Sequence, residues 1–180
     1  EKRPELTTAQ RKMLSHYDNA TLYNDSIVAQ IVKRFQKEDA VVIYVPDHGE
    51  ECYEEDRGFI CRNHSANIDW PLAHYEFEIP FWIYCSPKYI RNHRDIYRQI
   101  RKAKDKRFMT DALPHLLLYL AGIETPTYKE EYNILSPKYN EMRPRILKNS
   151  ADYDQLRDEH LEKVEKEKSK KEKSKKGDKK

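Results

Sequence analysis

A continuous apolar run, AVVIYV over residues 40–45, constrains the fold of this chain more than any other feature. Val and Ile branch at the β-carbon, and this branching favours strands over helices. A run without a charged or strongly polar side chain predicts a strand that is buried on both faces. Strands of this kind are typical of parallel sheets that are covered by helices.

An amphipathic helix is predicted before this strand. Apolar side chains recur at steps of three and four from Tyr17 to Phe35, which is the spacing of one helix face. We predict a helix over residues 18–37 with Asp18 as its N-cap, and a loop or lead-in turn over residues 1–14. A helix followed by a buried strand is the unit of an α/β fold.

The same signals recur further along the chain. The run PFWIYC over residues 80–85 predicts a second buried strand, and we expect one mainly parallel sheet flanked by helices. The segment DALPHLLLYLA over residues 111–121 predicts an apolar helix, with Pro114 in its first turn and Gly122 at its C-terminal cap. Residues 46–79 show no periodicity, and long irregular segments inside compact domains are usually functional.

The charge of the chain is concentrated at one end. The net charge is +3, but residues 161–180 contain ten Lys against five acidic residues, so the remainder is mildly acidic. The tail has almost no apolar side chains to offset the entropy of ordering. We therefore predict a partial domain over residues 1–150 and a disordered charged tail over residues 151–180. Residues 161–180 contain no aromatic residue among their lysines, which disfavours sequence-specific binding to nucleic acid.

Other sequence features exclude several classes of protein. No apolar run approaches the roughly 18 residues of a membrane-spanning helix, and no secretory signal is present. The first residue is Glu1 rather than Met, so we expect a piece of a longer protein.

Cys52, Cys61 and Cys85 are too few for a dense disulfide scaffold and lack the spacing of a structural zinc site. Their spacing leaves open a bridge between Cys52 and Cys61, or three free thiols.

The motif with the most chemical information is VPDHGEE, which directly follows the first strand. In open α/β sheets, ligands bind at the carboxyl ends of the strands. Asp47 and His48 are two of the residue types that zinc prefers. Adjacent residues of a strand point to opposite faces, so both can reach one ion only where the chain turns, and Gly49 gives the backbone freedom to turn. The alternative is a polar turn without a ligand.

Four segments together resemble a known family. In order they are YDNATLYNDSIVAQIV, VVIYVPDHGEE, IPFWIYCSP and TDALPHLLLYLAGIE, within residues 15–147. This series resembles the phosphoethanolamine transferases, which belong to the sulfatase branch of the alkaline phosphatase superfamily. The resemblance implies an α/β fold and makes residues 1–150 the C-terminal portion of a sulfatase-like catalytic domain.

The resemblance also implies roles for individual residues. In this family, Asp47 and His48 would be two ligands of a zinc ion, together with a Glu and a nucleophilic Thr from earlier in the chain. A His in the next loop would contact the phosphoryl group or a second metal; His64 is the first candidate and His74 its rival.

The resemblance implies that the nucleophilic Thr lies outside this chain. None of the early threonines lies in the pattern that surrounds the nucleophile; they are Thr7, Thr8 and Thr21. Glu50 and Glu51 are expected to be exposed or to support the ligands rather than to bind the metal. Asp111 and His115 are expected to cap and pack the apolar helix.

The implied activity is zinc-dependent transfer of phosphoethanolamine from a phospholipid to lipopolysaccharide, on lipid A or the core, through a Thr-linked intermediate. The implied location is the bacterial inner membrane, with an N-terminal membrane region and the catalytic domain facing the periplasm. Nucleic acid is not an implied partner. Two alternatives stay open: a sulfatase or phosphodiesterase that transfers to water, and an inactive truncated remnant.

Overall fold

The computed structural model describes residues 3–54, 60–62 and 67–177, and the chain divides into two compact units. The first unit comprises Glu1–Pro46 and Pro80–Met142, and the second comprises Asp47–Ile79 and Arg143–Lys180. Within the described ranges, no helix is both long enough and apolar enough to span a membrane.

The helices and strands follow one another in a mixed order. They are α1 (Thr8–Phe35), β1 (Val41–Tyr44), β2 (Glu51–Cys52), β3 (Ile60–Cys61), α2 (Trp70–Phe77), β4 (Trp82–Cys85), α3 (Pro87–Asn92), α4 (Arg94–Ala103), α5 (Leu113–Ala121), β5 (Ile146–Leu147), β6 (Ala151–Asp152) and α6 (Tyr153–Gly177).

Helix α1 of the first unit begins ten residues before the predicted N-cap. Thr7 is the N-cap, and it forms a capping box in which its side chain accepts from Gln10 N while the Gln10 side chain accepts from Thr7 N. The predictions of Asp18 as N-cap and of a loop through residue 14 are therefore wrong. The Thr-x-x-Gln signature was the available signal, since it satisfies helix N–H groups without any apolar periodicity.

The two predicted strands pair with each other in a two-stranded sheet, but they are antiparallel. Val41 lies opposite Cys85, and Tyr44 lies opposite Trp82, where the two rings stack with centroids 5.3 Å apart. The expectation of parallel neighbours is wrong for this pair. Burial on both faces is also wrong, because all four residues of β1 are only half-buried and only Cys85 of β4 is buried. An apolar run carries no information on direction, and the long segment between the strands returns the chain to run alongside β1 in reverse.

The core of the first unit lies around α5, and the predicted apolar helix is confirmed with its start at Leu113. Leu116 is completely buried and packs with three other buried residues and with partly buried residues that include Ile83 of β4. The other buried members are Ala103, Ile134 and Leu135. Gly122 ends the helix in the left-handed conformation at φ 65°, so the prediction of the C-terminal cap is confirmed.

The second unit is built from α2, the two short strand pairs and the start of α6. Ala73, Leu147 and Tyr153 form its buried cluster. Trp70 contributes to the same cluster and stacks on His160 of α6, with ring centroids 5.3 Å apart. The choice between a Cys52–Cys61 bridge and free thiols stays open, because the side chain of Cys61 lies outside the described side chains.

The region predicted to be a disordered tail is helical from Tyr153 to Gly177, and its start is packed. Arg145 makes two hydrogen bonds to the carboxylate of Asp154, at 3.1 and 2.6 Å, and Leu156 packs on the buried cluster. A boundary at residue 150 is therefore too early. Glu and Lys are good helix formers, and they can form ion pairs one helical turn apart. The composition of the segment alone did not indicate this helix.

Beyond His160, α6 should behave as an isolated helix. From residue 161 to 170 every side chain except Val164 is exposed, and Glu162 pairs with Lys166 at 3.0 Å within the helix itself. Such exposed pairs contribute only about 0.3–0.5 kcal/mol. We expect backbone amides from Lys163 onward to exchange hydrogen at nearly unprotected rates, while those of α5 are protected. Protection across residues 165–177 that equals that of α5 would contradict this.

A pair formed by Glu78 and Tyr153 is sensitive to pH at both extremes. Burial raises the pKa of Glu78, but hydrogen bonds from Tyr153 and His74 outweigh it, so this pKa lies below its ordinary value of 4.5. Burial, followed by the hydrogen bond to Glu78, raises the pKa of Tyr153 from 10.0 to about 12.

We expect this pair to stabilise the second unit only at pH values between the lowered pKa of Glu78 and the raised pKa of Tyr153. A lowered pKa in the folded state contributes stability above 4.5 and loses it as pH falls through the folded value. A raised pKa contributes stability below 10.0 and loses it as pH rises through about 12. Tyr153→Phe should lower the free energy of unfolding at neutral pH by about 1 kcal/mol and flatten both limbs of its pH profile. Urea unfolding at a series of pH values measures this, and an unchanged profile would contradict it.

Candidate metal centre

The loop after β1 is held in place by hydrogen bonds of its own backbone. Oδ1 of Asp47 accepts a hydrogen bond from the backbone N–H of His48, with an N–O distance of 3.1 Å. The backbone N–H of Gly49 donates to the carbonyl of Glu76 at the end of α2, over 2.9 Å. The first bond turns the loop at Asp47, and the second attaches the loop to α2.

The imidazole of His48 is oriented so that one nitrogen faces Asp47. Nδ1 lies 2.8 Å from the carbonyl oxygen of Gly49, which can only accept, so a proton on Nδ1 can donate to it. In the neutral tautomer with that proton, Nε2 has the lone pair, and Nε2 lies 3.5 Å from Oδ2 of Asp47. A hydrogen bond from the opposite ring nitrogen to a backbone carbonyl is a common way to orient a metal-binding histidine.

The separation of these two atoms suits a shared cation. Zinc bonds of about 2.0–2.2 Å in a tetrahedral site place two donor atoms about 3.3–3.6 Å apart. The carboxylate of Asp47 is 89% exposed and that of Glu50 is 25% exposed, so Asp47 is open to a ligand from solution. The structure thus brings together the two residues that the sequence predicted as ligands, and their donor types and spacing fit zinc.

Gly49 is required for a reason that differs from the one predicted. Its backbone is not in the left-handed region; the glycine with positive φ among the described residues is Gly122. A β-carbon on Gly49 would instead lie 2.2 Å from the carbonyl oxygen of Tyr75 and 3.3 Å from the carbonyl carbon. Real β-carbons essentially never have contacts below 3.0 Å, so α2 can approach the loop this closely only because residue 49 lacks a side chain.

Three glutamates surround the loop, and two of them are almost completely buried. Glu51 and Glu76 are each 1% exposed. Oε1 of Glu50 lies 3.6 Å from Nδ1 of His48, and its other oxygen is buried without a hydrogen-bond partner among the described residues. Glu50 therefore supports His48, as predicted, whereas Glu51 is not exposed. Glu76 was missed, although it continues the buried face of α2 that Leu72 and Ala73 begin.

Of the two candidate histidines, the structure describes only His74. His64 lies outside the described residues. His74 has a structural environment: Nδ1 lies 2.8 Å from Oε1 of Glu78, and the ring stacks on Trp70 with centroids 5.4 Å apart. His115 accepts from the backbone N–H of Lys129 at 3.1 Å, in keeping with its expected packing role.

The described residues provide only part of a metal site. Nowhere in those ranges do three or more His, Cys, Asp or Glu side chains converge in a way that could hold a metal ion. Thr7, whose hydroxyl caps α1, is engaged structurally. The geometry therefore offers two well-oriented donors, Asp47 and His48, which need further ligands to complete a site.

Known proteins with similar sequences share one activity. Residues 1–123 match the family described as Sulfatase. The chain is 31% identical over 161 residues to phosphoethanolamine transferase EptC from Escherichia coli O18:K1:H7 (strain RS218 / NMEC), covering 85% of this chain and 26% of that protein. It is 28% identical over 99 residues to the Kdo(2)-lipid A phosphoethanolamine 7''-transferase of Escherichia coli K12, covering 53% of the chain and 16% of that enzyme. The chain thus spans about a quarter of the length of EptC.

A solved structure agrees with the sequence relatives. The C-terminal periplasmic domain of EptC from Escherichia coli superimposes with a TM-score of 0.68 at 29% identity, covering 85% of this chain and 43% of that domain. A second crystal structure of that domain is a complex with Zn and matches equally well. The predicted α/β sulfatase-like class is confirmed by this match. The chain belongs to the sulfatase family and, within it, to the phosphoethanolamine transferases.

Proposed function

We propose that this chain supplies Asp47 and His48 as two ligands to the zinc centre of a phosphoethanolamine transferase. The observation that carries the proposal is the 3.5 Å separation between Oδ2 of Asp47 and Nε2 of His48, with Nδ1 of His48 placed 2.8 Å from the carbonyl oxygen of Gly49. The zinc complex of the periplasmic domain of a relative supports the choice of metal.

The proposed donor is a phospholipid that carries phosphoethanolamine, and the proposed acceptor is lipopolysaccharide, on lipid A or the core. The relatives named for transfer to Kdo(2)-lipid A support this acceptor. The similarity to a periplasmic domain supports a location at the bacterial inner membrane, facing the periplasm. Membrane attachment would come from a region outside these residues.

Each residue of the site would have a distinct task in the reaction. A zinc ion bound here would lower the pKa of a nucleophilic hydroxyl and stabilise negative charge on phosphoryl oxygens. Asp47 contributes negative charge that raises metal affinity, and His48 contributes a neutral nitrogen ligand held in one orientation by Gly49. Glu50 lies against the protonated nitrogen and stabilises the partial positive charge that ligation induces on the ring. His64 is proposed to hold or transfer a proton at the phosphoryl group.

The proposed transfer has two displacement steps. In the first, the Thr hydroxyl oxygen bonds to phosphorus as the bond from phosphorus to the diacylglycerol oxygen breaks, and the Thr proton ends on the leaving oxygen. In the second, a protonated oxygen of the acceptor bonds to phosphorus as the Thr–phosphorus bond breaks, and the proton of that oxygen passes to the Thr oxygen. The nucleophilic Thr is proposed to lie outside this chain, and the isolated chain is therefore proposed to be inactive.

The test uses the complete protein that carries this chain, a phospholipid with labelled phosphoethanolamine and lipid A. Removal of metal with a chelator should abolish transfer, and zinc should restore it while magnesium should not. Label recovered on lipid A supports the transferase. Label recovered only as free phosphoethanolamine would replace it with a hydrolase, and full activity after metal removal would overturn the zinc centre.

A further inference from the structure

A cavity in the first unit is formed by residues other than those of the Asp47–His48 loop and has a different chemistry. Its volume is about 270 Å³, and it opens between the start of β4, the second half of α4 and the segment around Ile134. Apolar and aromatic side chains form most of its wall, chiefly Phe81, Trp82, Ile100, Phe108, Ile134 and Leu135. The wall is well supported, since Ile134 and Leu135 are buried and Phe81 stacks on Phe108 with centroids 5.0 Å apart.

The charged residues that line the cavity all carry the same sign. They are Arg101, Lys104 and Lys106, and no acidic residue of the described ranges lines it with them. Nζ of Lys106 donates a hydrogen bond to the carbonyl oxygen of Ile134 over 3.0 Å. It also lies 5.4 Å from the centroid of the Tyr139 ring, in a cation–π contact. Lys104 has an exposed neighbour, Asp105, at 3.5 Å, and pairs of this kind are weak. Arg101 and Lys104 are both exposed, so they can turn toward an anion at the rim.

An apolar cavity with a cationic rim is complementary to an anionic amphiphile. The volume lies below the about 300–1,000 Å³ of pockets that enclose drug-sized ligands, so it suits part of one acyl chain rather than a whole lipid. Each methylene that it buries would contribute about 0.8 kcal/mol. The remaining basic residues of α4 are exposed and would strengthen attraction to an anionic lipid surface; they are Arg94, Arg98 and Lys102.

We propose that this cavity binds an acyl chain of an anionic lipid, with the phosphate of its headgroup against Arg101 and Lys104. The inference deepens the proposed function, because both proposed substrates of that function are lipids. It does not depend on the metal site, which uses other residues in the other unit.

The experiment titrates the 180-residue chain with dihexanoylphosphatidylglycerol below its critical micelle concentration. The chain has two tryptophans, so the two indole N–H resonances distinguish Trp82, which lines the cavity, from Trp70, which does not. We expect a saturable shift of the Trp82 resonance with little change at Trp70. Dihexanoylphosphatidylcholine, which lacks the net negative charge, should bind at least tenfold more weakly, and inorganic phosphate should leave Trp82 unmoved.

Paired charge reversals complete the test. Arg101→Glu with Lys104→Glu should weaken binding at least tenfold. Arg94→Glu with Lys102→Glu changes the net charge equally in the same segment and should have a smaller effect. Equal loss in both pairs, equal affinity for the two lipids, or an unmoved Trp82 resonance would each overturn the proposal. His48→Ala should bind lipid as the wild type does, so a failed metal site and a failed lipid site give different results.

Discussion

His48→Ala should remove both bound zinc and transfer activity from the complete protein that carries this chain. The substitution deletes the nitrogen that lies 3.5 Å from Asp47 and leaves a single well-oriented carboxylate in the loop. Loss of a residue that merely orients a ligand reduces metal affinity about 10–100-fold, and loss of a ligand itself should exceed that range. Metal analysis after dialysis and the lipid A transfer assay measure the two effects.

His93→Ala is the matched control for this substitution. The side chain of His93 is 41% exposed and belongs to the first unit, where its Nε2 lies 3.4 Å from Oδ1 of Asp39. The substitution therefore removes an imidazole without changing the loop after β1. It should retain zinc and activity. His64→Ala should impair transfer while most of the zinc is retained. A His48→Ala protein with stoichiometric zinc and normal activity would show that the assignment of the site is wrong.

Gly49→Ala should destabilise the second unit by about 2–4 kcal/mol and weaken zinc binding with it. The new methyl group would meet the backbone of Tyr75 at 2.2 Å, and a backbone atom cannot rotate away as a flexible side chain can. Relief requires the loop to move from α2, which breaks the hydrogen bond from Gly49 to Glu76 and turns His48 away from Asp47. Urea unfolding and zinc titration of the same sample measure both consequences.

Gly122→Ala separates steric contact from backbone strain. Gly122 has φ 65°, but a β-carbon there would have no atom within 4 Å. The strain of a left-handed alanine should cost about 1 kcal/mol, with zinc affinity unchanged. If Gly49→Ala proves no more destabilising than Gly122→Ala, the close approach of α2 is not what requires glycine at residue 49.

The sequence predicted which segments would be strands but not how they would run. Val41–Tyr44 and Trp82–Cys85 pair in a single sheet, and the β-branched and aromatic side chains that favour strands are visible in the residues themselves. The burial of these strands was overestimated, since all of β1 is only half-buried and Trp82 is exposed. Whether the two strands are parallel or antiparallel depends on the path of residues 46–79 between them. That segment has no hydrophobic periodicity from which its path could be predicted. The start of α1 was missed for a related reason, since its first turns are stabilised by the capping box at Thr7 rather than by apolar spacing.

The candidate site was predictable in its chemistry but not in its packing. Asp47 and His48 are neighbours in the sequence, so their approach required only a turn. The role of Gly49 depends on a helix that begins more than twenty residues later, and no local pattern indicates that contact. The burial of Glu51 likewise depends on tertiary structure, because a glutamate next to a predicted loop is ordinarily exposed.

The two units are interleaved along the chain, and this arrangement sets an order in which they can form during synthesis. β1 has to wait for β4, because Asp47–Ile79 belongs to the other unit. At about 5–20 residues per second, some 40 residues take about 2–8 s to emerge from the ribosome. For that time β1 has an unpaired, apolar edge, which is open to association with other chains. The second unit in turn lacks α6 until the first unit is fully synthesised, so neither unit can be produced as one uninterrupted stretch of chain.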